Sequence, residues 1–213
     1  MSKLNNLTVP IVDITCRTYP YDYYLCKYLT KKNVSVVLFS CLLADINKQN
    51  LPFKIYDDLV NFSNKYLGIH HLSKFLKVFE LILNYNTLRK YIINHNLPLV
   101  HFQWLPFQEL APSIEYKLVD YLQKKSCKVV YTVHDIMPLN GANRKRSIVY
   151  SLYNKVDSLI CHTRSSYNTL ISDFNVDKSK IHLIPHGPLE LGAETCGKYE
   201  ARKTLDLDAS SKI

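Results

Sequence analysis

Glycine is scarce in this sequence, and no pair of cysteines follows the Cys-x-x-Cys pattern. Only 5 of the 213 residues are glycine, which argues against a glycine-rich or disordered scaffold. The six cysteines are widely scattered, and several lie inside apolar runs, where cysteine behaves as a small hydrophobic residue. We therefore expect neither a metal site nor a disulfide framework, and a reducing cytosol suits such a chain.

Long hydrophobic segments are also lacking. The longest apolar run, Val34–Ala44, is shorter than the roughly 18–20 residues that a membrane span needs. The first residues, Met1–Asn6, do not form the apolar core of a signal peptide. The sequence predicts a cytoplasmic protein, either soluble or peripheral at the inner face of the membrane.

The balance of charge is strongly basic. A formal net charge of +9 favours an anionic partner, such as phosphate, nucleic acid or an acidic membrane surface. No recognised nucleic-acid-binding motif accompanies this charge. We therefore expect no nucleic-acid partner.

The stretch Val129–Pro138 is the most informative part of the chain. Val129–Val133 consists of β-branched and aromatic residues with a single threonine, a run typical of a strand buried on both faces. The run stops at His134 and Asp135, and Pro138 prevents further strand pairing nearby. Because ligands bind at the carboxyl ends of strands in open α/β sheets, these two side chains are candidate site residues.

Strand-like and helix-like segments alternate along the rest of the chain. This alternation predicts an α/β fold, a doubly wound and mostly parallel Rossmann-like sheet with helices on both faces. Segment 51–59 has no clear pattern. The predicted strands are Val9–Thr15, Val34–Ser40, Pro98–His101, Lys128–Val133, Asp157–His162 and Lys180–Pro185. The predicted helices are Tyr19–Thr30, Leu72–His95, Glu109–Lys125, Arg144–Val156, Arg164–Phe174 and Tyr199–Asp208.

The turn after the first strand, Cys16–Pro20, contains no glycine. A dinucleotide-binding fingerprint needs glycines there so that the backbone can approach a pyrophosphate, and a P-loop needs them for the same reason. NAD binding at this turn is therefore not expected.

The predicted helix Leu72–His95 has apolar residues at helical spacing and a basic polar face with one acid, Glu80. Such a helix either packs on the core with a solvated basic face or lies on an anionic membrane. The basic residues are Lys74, Lys77, Arg89 and Lys90, and Arg144, Lys145 and Arg146 follow in a later helix.

Composition changes after Gly187. Residues 188–198 contain two glycines and several small or polar residues, which is typical of a linker. We therefore expect a Rossmann-like domain over 1–187, followed over 188–213 by an interdomain linker and the start of a second domain.

Four segments in order resemble the N-terminal domain of family 4 glycosyltransferases, which have the GT-B fold. In that family a strand ends in His, the next ends in T-x-H-D-x-x-P, a third leads to a Ser/Thr turn, and a K-I-x-x-I-P-N/H-G segment follows. The corresponding segments here are PLVHFQW, KVVYTVHDIMP, KVDSLICHTRSSYNTLI and VDKSKIHLIPHG. The match covers roughly residues 98–187, and residues 9–40 more loosely.

The resemblance implies transfer of a sugar from a nucleotide-diphosphosugar to a sugar or lipid-linked acceptor, usually without a metal. It implies no bound cofactor, since the nucleotide-sugar is a substrate. His134 matches the cleft histidine beside the transferred sugar, and Asp135 its neighbour, so both are assigned to the catalytic site. The resemblance assigns the acceptor side to Arg17, Tyr19, His101, Gln103, Trp104, Thr163 and Arg164, and the exit toward a second domain to His186 and Gly187.

The sequence departs from the family in two respects. The first loop usually carries glycines that allow close approach of the donor diphosphate, and Cys16–Pro20 has none. The family's donor domain, with its acidic E-x7-E segment, has no counterpart in these 213 residues. We expect the isolated chain to be inactive, as part of an enzyme that is either truncated or completed by a separate donor-domain chain. The alternative is a non-catalytic α/β interaction module or a truncated remnant.

Overall fold

The computed structural model describes residues 7–41, 51–56, 58–60, 70–106, 112–136, 142–187 and 197–208. Strands and helices alternate within these ranges. The strands are β1 (Thr8–Val12), β2 (Ser35–Phe39), β3 (Lys54–Ile55), β4 (Leu99–Phe102), β5 (Lys128–Val133), β6 (Ser158–Cys161) and β7 (Ile181–Leu183). The helices are α1 (Tyr19–Lys31), α2 (His70–Asn94), α3 (Pro112–Lys124), α4 (Ala142–Lys155), α5 (Arg164–Ser172) and α6 (Lys198–Thr204).

The strands form one parallel sheet in the order β3-β2-β1-β4-β5-β6-β7. Chain order reverses at β1, whose neighbours are β2 on one side and β4 on the other. This is the topological switch point of a doubly wound fold, where the loops that follow the two central strands diverge and leave a crevice. The predicted fold class is confirmed.

Side chains of β1 and β2 alternate between two apolar cores, as the pleat requires. Ile11 and Leu38 pack with Cys26 of α1 on one face. Val12 and Phe39 belong to the larger core on the other face, which includes residues of α2 to α5. Most residues of the central strands β1, β4 and β5 are buried, so these strands read as nearly continuous apolar runs in the sequence.

The helix α2 is core-packed along one side. Leu81, Tyr85, Leu88 and Ile92 are buried at helical spacing. Glu80, expected on the polar face, is also buried, so that expectation is wrong. None of the helices within the described ranges is both long enough and apolar enough to cross a membrane.

Several expectations lie outside the described residues. They concern Met1–Asn6, Pro138, the linker 188–196 and the last residues, 209–213. The same holds for the side chains of Lys74, Arg144, Lys145 and Arg146.

Candidate functional site

The polar residues predicted at strand ends meet at the carboxyl edge of β4, β5, β6 and β7. His101 lies in β4, and Gln103 follows it with its backbone N–H donating to the Val12 carbonyl of β1 at 2.9 Å. His134 and His162 come directly after β5 and β6. The order of these strands in the sheet therefore places the ends of four sequence-distant segments side by side.

A hydrogen-bond chain runs beneath His134. The His101 Nε2 atom lies 2.7 Å from Thr132 Oγ1 and 3.2 Å from Gln103 Nε2. The Gln103 Oε1 atom lies 3.0 Å from His134 Nε2. Because an amide oxygen only accepts, His134 Nε2 donates, and the Gln103 amide group donates to His101. His101 and Gln103 are buried, so they support His134 from below rather than line an open acceptor surface.

Trp104 and Arg17 extend this arrangement on one side. The Trp104 ring stacks on the His134 ring, with centroids 5.5 Å apart and an interplanar angle of 16°. The Arg17 guanidinium lies over Trp104 at 4.9 Å from the ring centroid, a cation–π geometry. Arg17 itself is exposed. These three residues form a layered wall whose outer member is a cation.

Tyr21 and two further histidines lie on the other side. The Tyr21 ring contacts those of His134, His162 and His186, with centroids 5.1, 5.2 and 4.8 Å apart. The His162 Nδ1–H group donates to the Ile184 carbonyl at 2.9 Å. Neither Tyr21 nor His162 is among the residues that the sequence predicts. His162 ends a predicted strand and so carried the same signal as His134, whereas Tyr21 has no distinguishing pattern within a tyrosine-rich helix.

His134 is half-buried and lies directly after β5, as predicted. Burial lowers its pKa to about 4, and the nearby His162 and His186 add to this effect. Burial also lowers the pKa of His101, to about 3. Both imidazoles are neutral at physiological pH.

The remaining predicted residues have different surroundings. Asp135 has an exposed side chain, and its carbonyl accepts from the Tyr153 hydroxyl at 3.4 Å. The Thr163 hydroxyl accepts from the Ser166 N–H and caps α5. The Arg164 guanidinium lies 5.5 Å from the centroid of the Tyr167 ring in the same helix. Tyr19 packs with the apolar core around α1.

His186 and Gly187 follow β7. His186 is exposed, and its Nδ1 atom lies 3.1 Å from the Gly187 carbonyl. A Cβ atom on Gly187 would meet no atom within 4 Å. His186 joins the cluster through its contact with Tyr21. At position 187 the described residues leave room for a side chain, so packing does not require glycine there.

A pair of buried carboxyl groups shapes the loop after β1. The Asp13 Oδ2 atom accepts from the Thr18 N–H at 2.9 Å, and the Thr18 hydroxyl lies 3.2 Å from Asp22 Oδ2. Burial, together with the nearby charge of Asp13, raises the pKa of Asp22 to about 9. Asp22 is therefore protonated at neutral pH, because two adjacent buried carboxylates do not both ionise. This pair anchors the loop that carries Arg17.

Asp22→Asn is expected to flatten the pH dependence of stability. A carboxyl whose folded pKa is raised stabilises the fold below its unfolded pKa, near 4, and this contribution is lost as pH rises toward about 9. Asparagine keeps a neutral donor at every pH. At pH 8 the variant should therefore be more stable than the natural chain by at least about 1 kcal/mol, since one pKa unit corresponds to about 1.4 kcal/mol.

Urea unfolding at pH 5 and pH 8 measures this difference. Asp58→Asn, at an exposed carboxylate, is the matched control and should change neither value. An Asp22→Asn variant that loses stability equally at both pH values would contradict the assignment of a protonated Asp22 in the folded chain.

No group of three or more His, Cys, Asp or Glu side chains in the described ranges is arranged to hold a metal ion. The edge instead presents the neutral imidazole of His134, an indole and a phenol, with the Arg17 cation beyond the indole. The uncharged groups donate and accept hydrogen bonds and offer ring faces for stacking. Around His134 this chemistry suits a polar, uncharged ligand.

Comparison with known proteins identifies the family. The model of Glycosyltransferase Family 4 matches residues 21–187, more than half of the chain. The chain belongs to this family. A search of curated proteins finds no match.

Solved structures support the family 4 fold. A glycosyltransferase from Rickettsia africae ESF-5 superposes with a TM-score of 0.61 and 16% identity, covering 97% of this chain and 51% of that one. Anabaena Alr3699/HepE, solved in complex with UDP-glucose, superposes with a TM-score of 0.60 and 12% identity, covering 94% of this chain and 50% of that one. The same Anabaena protein in complex with UDP and glucose superposes with a TM-score of 0.57 and 13% identity over the same shares of the two chains. This family 4 chain thus spans about half the length of the solved structures it matches.

Proposed function

We propose that this chain is the acceptor-binding half of a glycosyltransferase that moves a sugar from a nucleotide-diphosphosugar to a glycan or lipid-linked acceptor. The observation that carries the proposal is that the Trp104 and Tyr21 rings flank His134, which is bonded to the buried Gln103 amide. Ring faces with a few fixed polar groups suit a sugar, because each hydroxyl needs a partner and each sugar face is apolar. UDP-glucose, bound in the Anabaena relative, supports a nucleotide-sugar donor.

The neutral edge favours the acceptor over the donor diphosphate. A leaving diphosphate needs cations or backbone N–H groups where charge develops. His101 and His134 are neutral at physiological pH, and the cation on this wall, Arg17, is stacked on Trp104. The donor therefore binds to a second domain, which is supplied by a separate chain or by the same polypeptide.

Sugar binding to the isolated chain tests this role. Monosaccharides and disaccharides, titrated into isotope-labelled protein, should shift the NMR signals of Tyr21, Trp104 and His134. Tyr153, buried in the core, provides an internal reference that should not move. If no sugar shifts the edge signals of the folded chain, the proposal fails and the non-catalytic interaction module is favoured.

An anionic membrane surface is a proposed second partner, consistent with a lipid-linked acceptor. The outer face of α2 carries Phe79, Ile82, Asn86 and Lys90 at three- and four-residue spacing, and Phe79 is 49% exposed. An apolar cavity of about 230 Å³ between α2 and α3 adjoins this face and is lined in part by Ile82, Arg89 and Lys117. Apolar residues beside cations suit the interface of an anionic bilayer.

The chain is expected to sediment with anionic vesicles but not with neutral ones, and high salt should abolish this binding through screening. The double variant Lys77→Gln/Lys90→Gln should weaken it about tenfold or more, because each cation near the surface contributes on the order of 1 kcal/mol. Lys198→Gln/Lys203→Gln, on α6, is the control with the same change in charge. Equal and negligible sedimentation with both vesicle types would leave only a solvated basic face.

A further inference from the structure

Tyr21 connects α1 with the histidines that follow three strands. It lies in the first turn of α1, next to Pro20. Its ring meets the His134 ring edge-on, with an interplanar angle of 87°, and also contacts His162 and His186. The side chain is half-buried. Tyr21 therefore covers one side of His134 while Trp104 covers another.

A hydrogen-bond network holds the same imidazole from below. The Thr132 Oγ1 atom lies 2.7 Å from His101 Nε2. His101 and His134 are both bonded to the Gln103 amide. The Tyr21 ring and this hydrogen-bond network therefore fix the same imidazole from two sides.

We propose that Tyr21 is a positioning residue that holds His134 as a neutral imidazole, with Nε2–H bonded to Gln103 and Nδ1 left as an acceptor for a sugar hydroxyl. The identity of the ligand, a sugar hydroxyl, rests on the proposed function. The neutral state of His134 does not depend on it. Tyr21 acts through His134. Its ring keeps water away from the imidazole, and burial disfavours the charged imidazolium. Without this ring, His134 would be a solvated base that titrates near neutrality.

The groups that face His134 are consistent with this role. They are Tyr21 from α1, Gln103 and Trp104 from the segment after β4, His162 after β6 and His186 after β7. Arg17 lies beyond Trp104, His101 lies beyond Gln103, and Asp135 follows in the chain with an exposed side chain. Basic neighbours oppose a positive charge on His134, and burial lowers its pKa to about 4.

Titration of the His134 ring by NMR tests the proposal without any substrate. The natural chain should show His134 titrating near pH 4. Tyr21→Ala should raise this value by at least about one pH unit toward 6.5, because water reaches the ring. Tyr21→Phe, which keeps the ring, should leave His134 close to its natural value. Tyr28→Ala, at an exposed tyrosine of the same helix, is the control and should have no effect.

Each outcome decides the proposal. If Tyr21→Ala does not fold, Tyr21→Leu replaces it, and an intermediate rise is expected because leucine covers less of the ring. A His134 value near 6.5 in the natural chain, or no change in a folded Tyr21→Ala or Tyr21→Leu variant, would overturn the inference. Failure of the proposed function would appear separately, as an absence of sugar-induced shifts in the natural chain at pH 7.

Discussion

His134→Ala is expected to lower sugar transfer by about 10²-fold or more in the enzyme that carries both domains. One well-placed polar group typically contributes a factor of this size. The His134 ring is fixed by Gln103 and stacked on Trp104, so its removal takes away an oriented hydrogen-bond partner. The fold should survive, because His134 is half-buried at a strand end and belongs to neither apolar core.

Initial rates at saturating donor, with a thermal melt of each variant, measure this effect. His182→Ala is the matched control, since His182 is an exposed histidine of β7. It should retain full activity. Equal activity of the two alanine variants would contradict a role for His134 in transfer.

The 213-residue chain alone is expected to show no sugar transfer. The reason is electrostatic, because bond cleavage leaves a diphosphate whose charge must be stabilised as it develops. The described edge offers neutral imidazoles and the stacked Arg17. The chain also spans about half the length of the glycosyltransferase structures it matches.

Release of nucleotide from a panel of nucleotide-diphosphosugars checks this prediction. A His134→Ala preparation of the same chain serves as the control for contaminating enzymes. Turnover by the natural chain that the variant lacks would show that one domain suffices.

Much of the fold could be predicted from the sequence, because buried parallel strands read as continuous apolar runs. β5 has the predicted bounds, Lys128–Val133, and α1 begins at the predicted Tyr19. The edge strand β3 has two residues, too few for any periodicity to appear. The observed strand ends also differ from the predicted ones by a few residues. Pairing stops where the neighbouring strand stops, rather than where the apolar run does.

The site was predictable only in part. His134 was identified from its place after a buried strand, and the histidines of four strand ends do lie at one edge. Its protonation state was not predictable, because the pKa depends on His162, His186 and burial by residues distant in sequence. Tyr21 and the Asp13–Asp22 pair were missed for the same reason, since their significance arises from contacts that only the folded chain makes.

The most direct test is a mixing experiment between this chain and a donor domain that completes the enzyme, supplied as a separate chain. Nucleotide release is measured for each half alone, for the mixture, and for the mixture containing His134→Ala. The account predicts acceptor-dependent release from the mixture, reduced by about 10²-fold in the variant and absent from either half. Release no faster from the mixture than from the donor domain alone, or unchanged by His134→Ala, would contradict it.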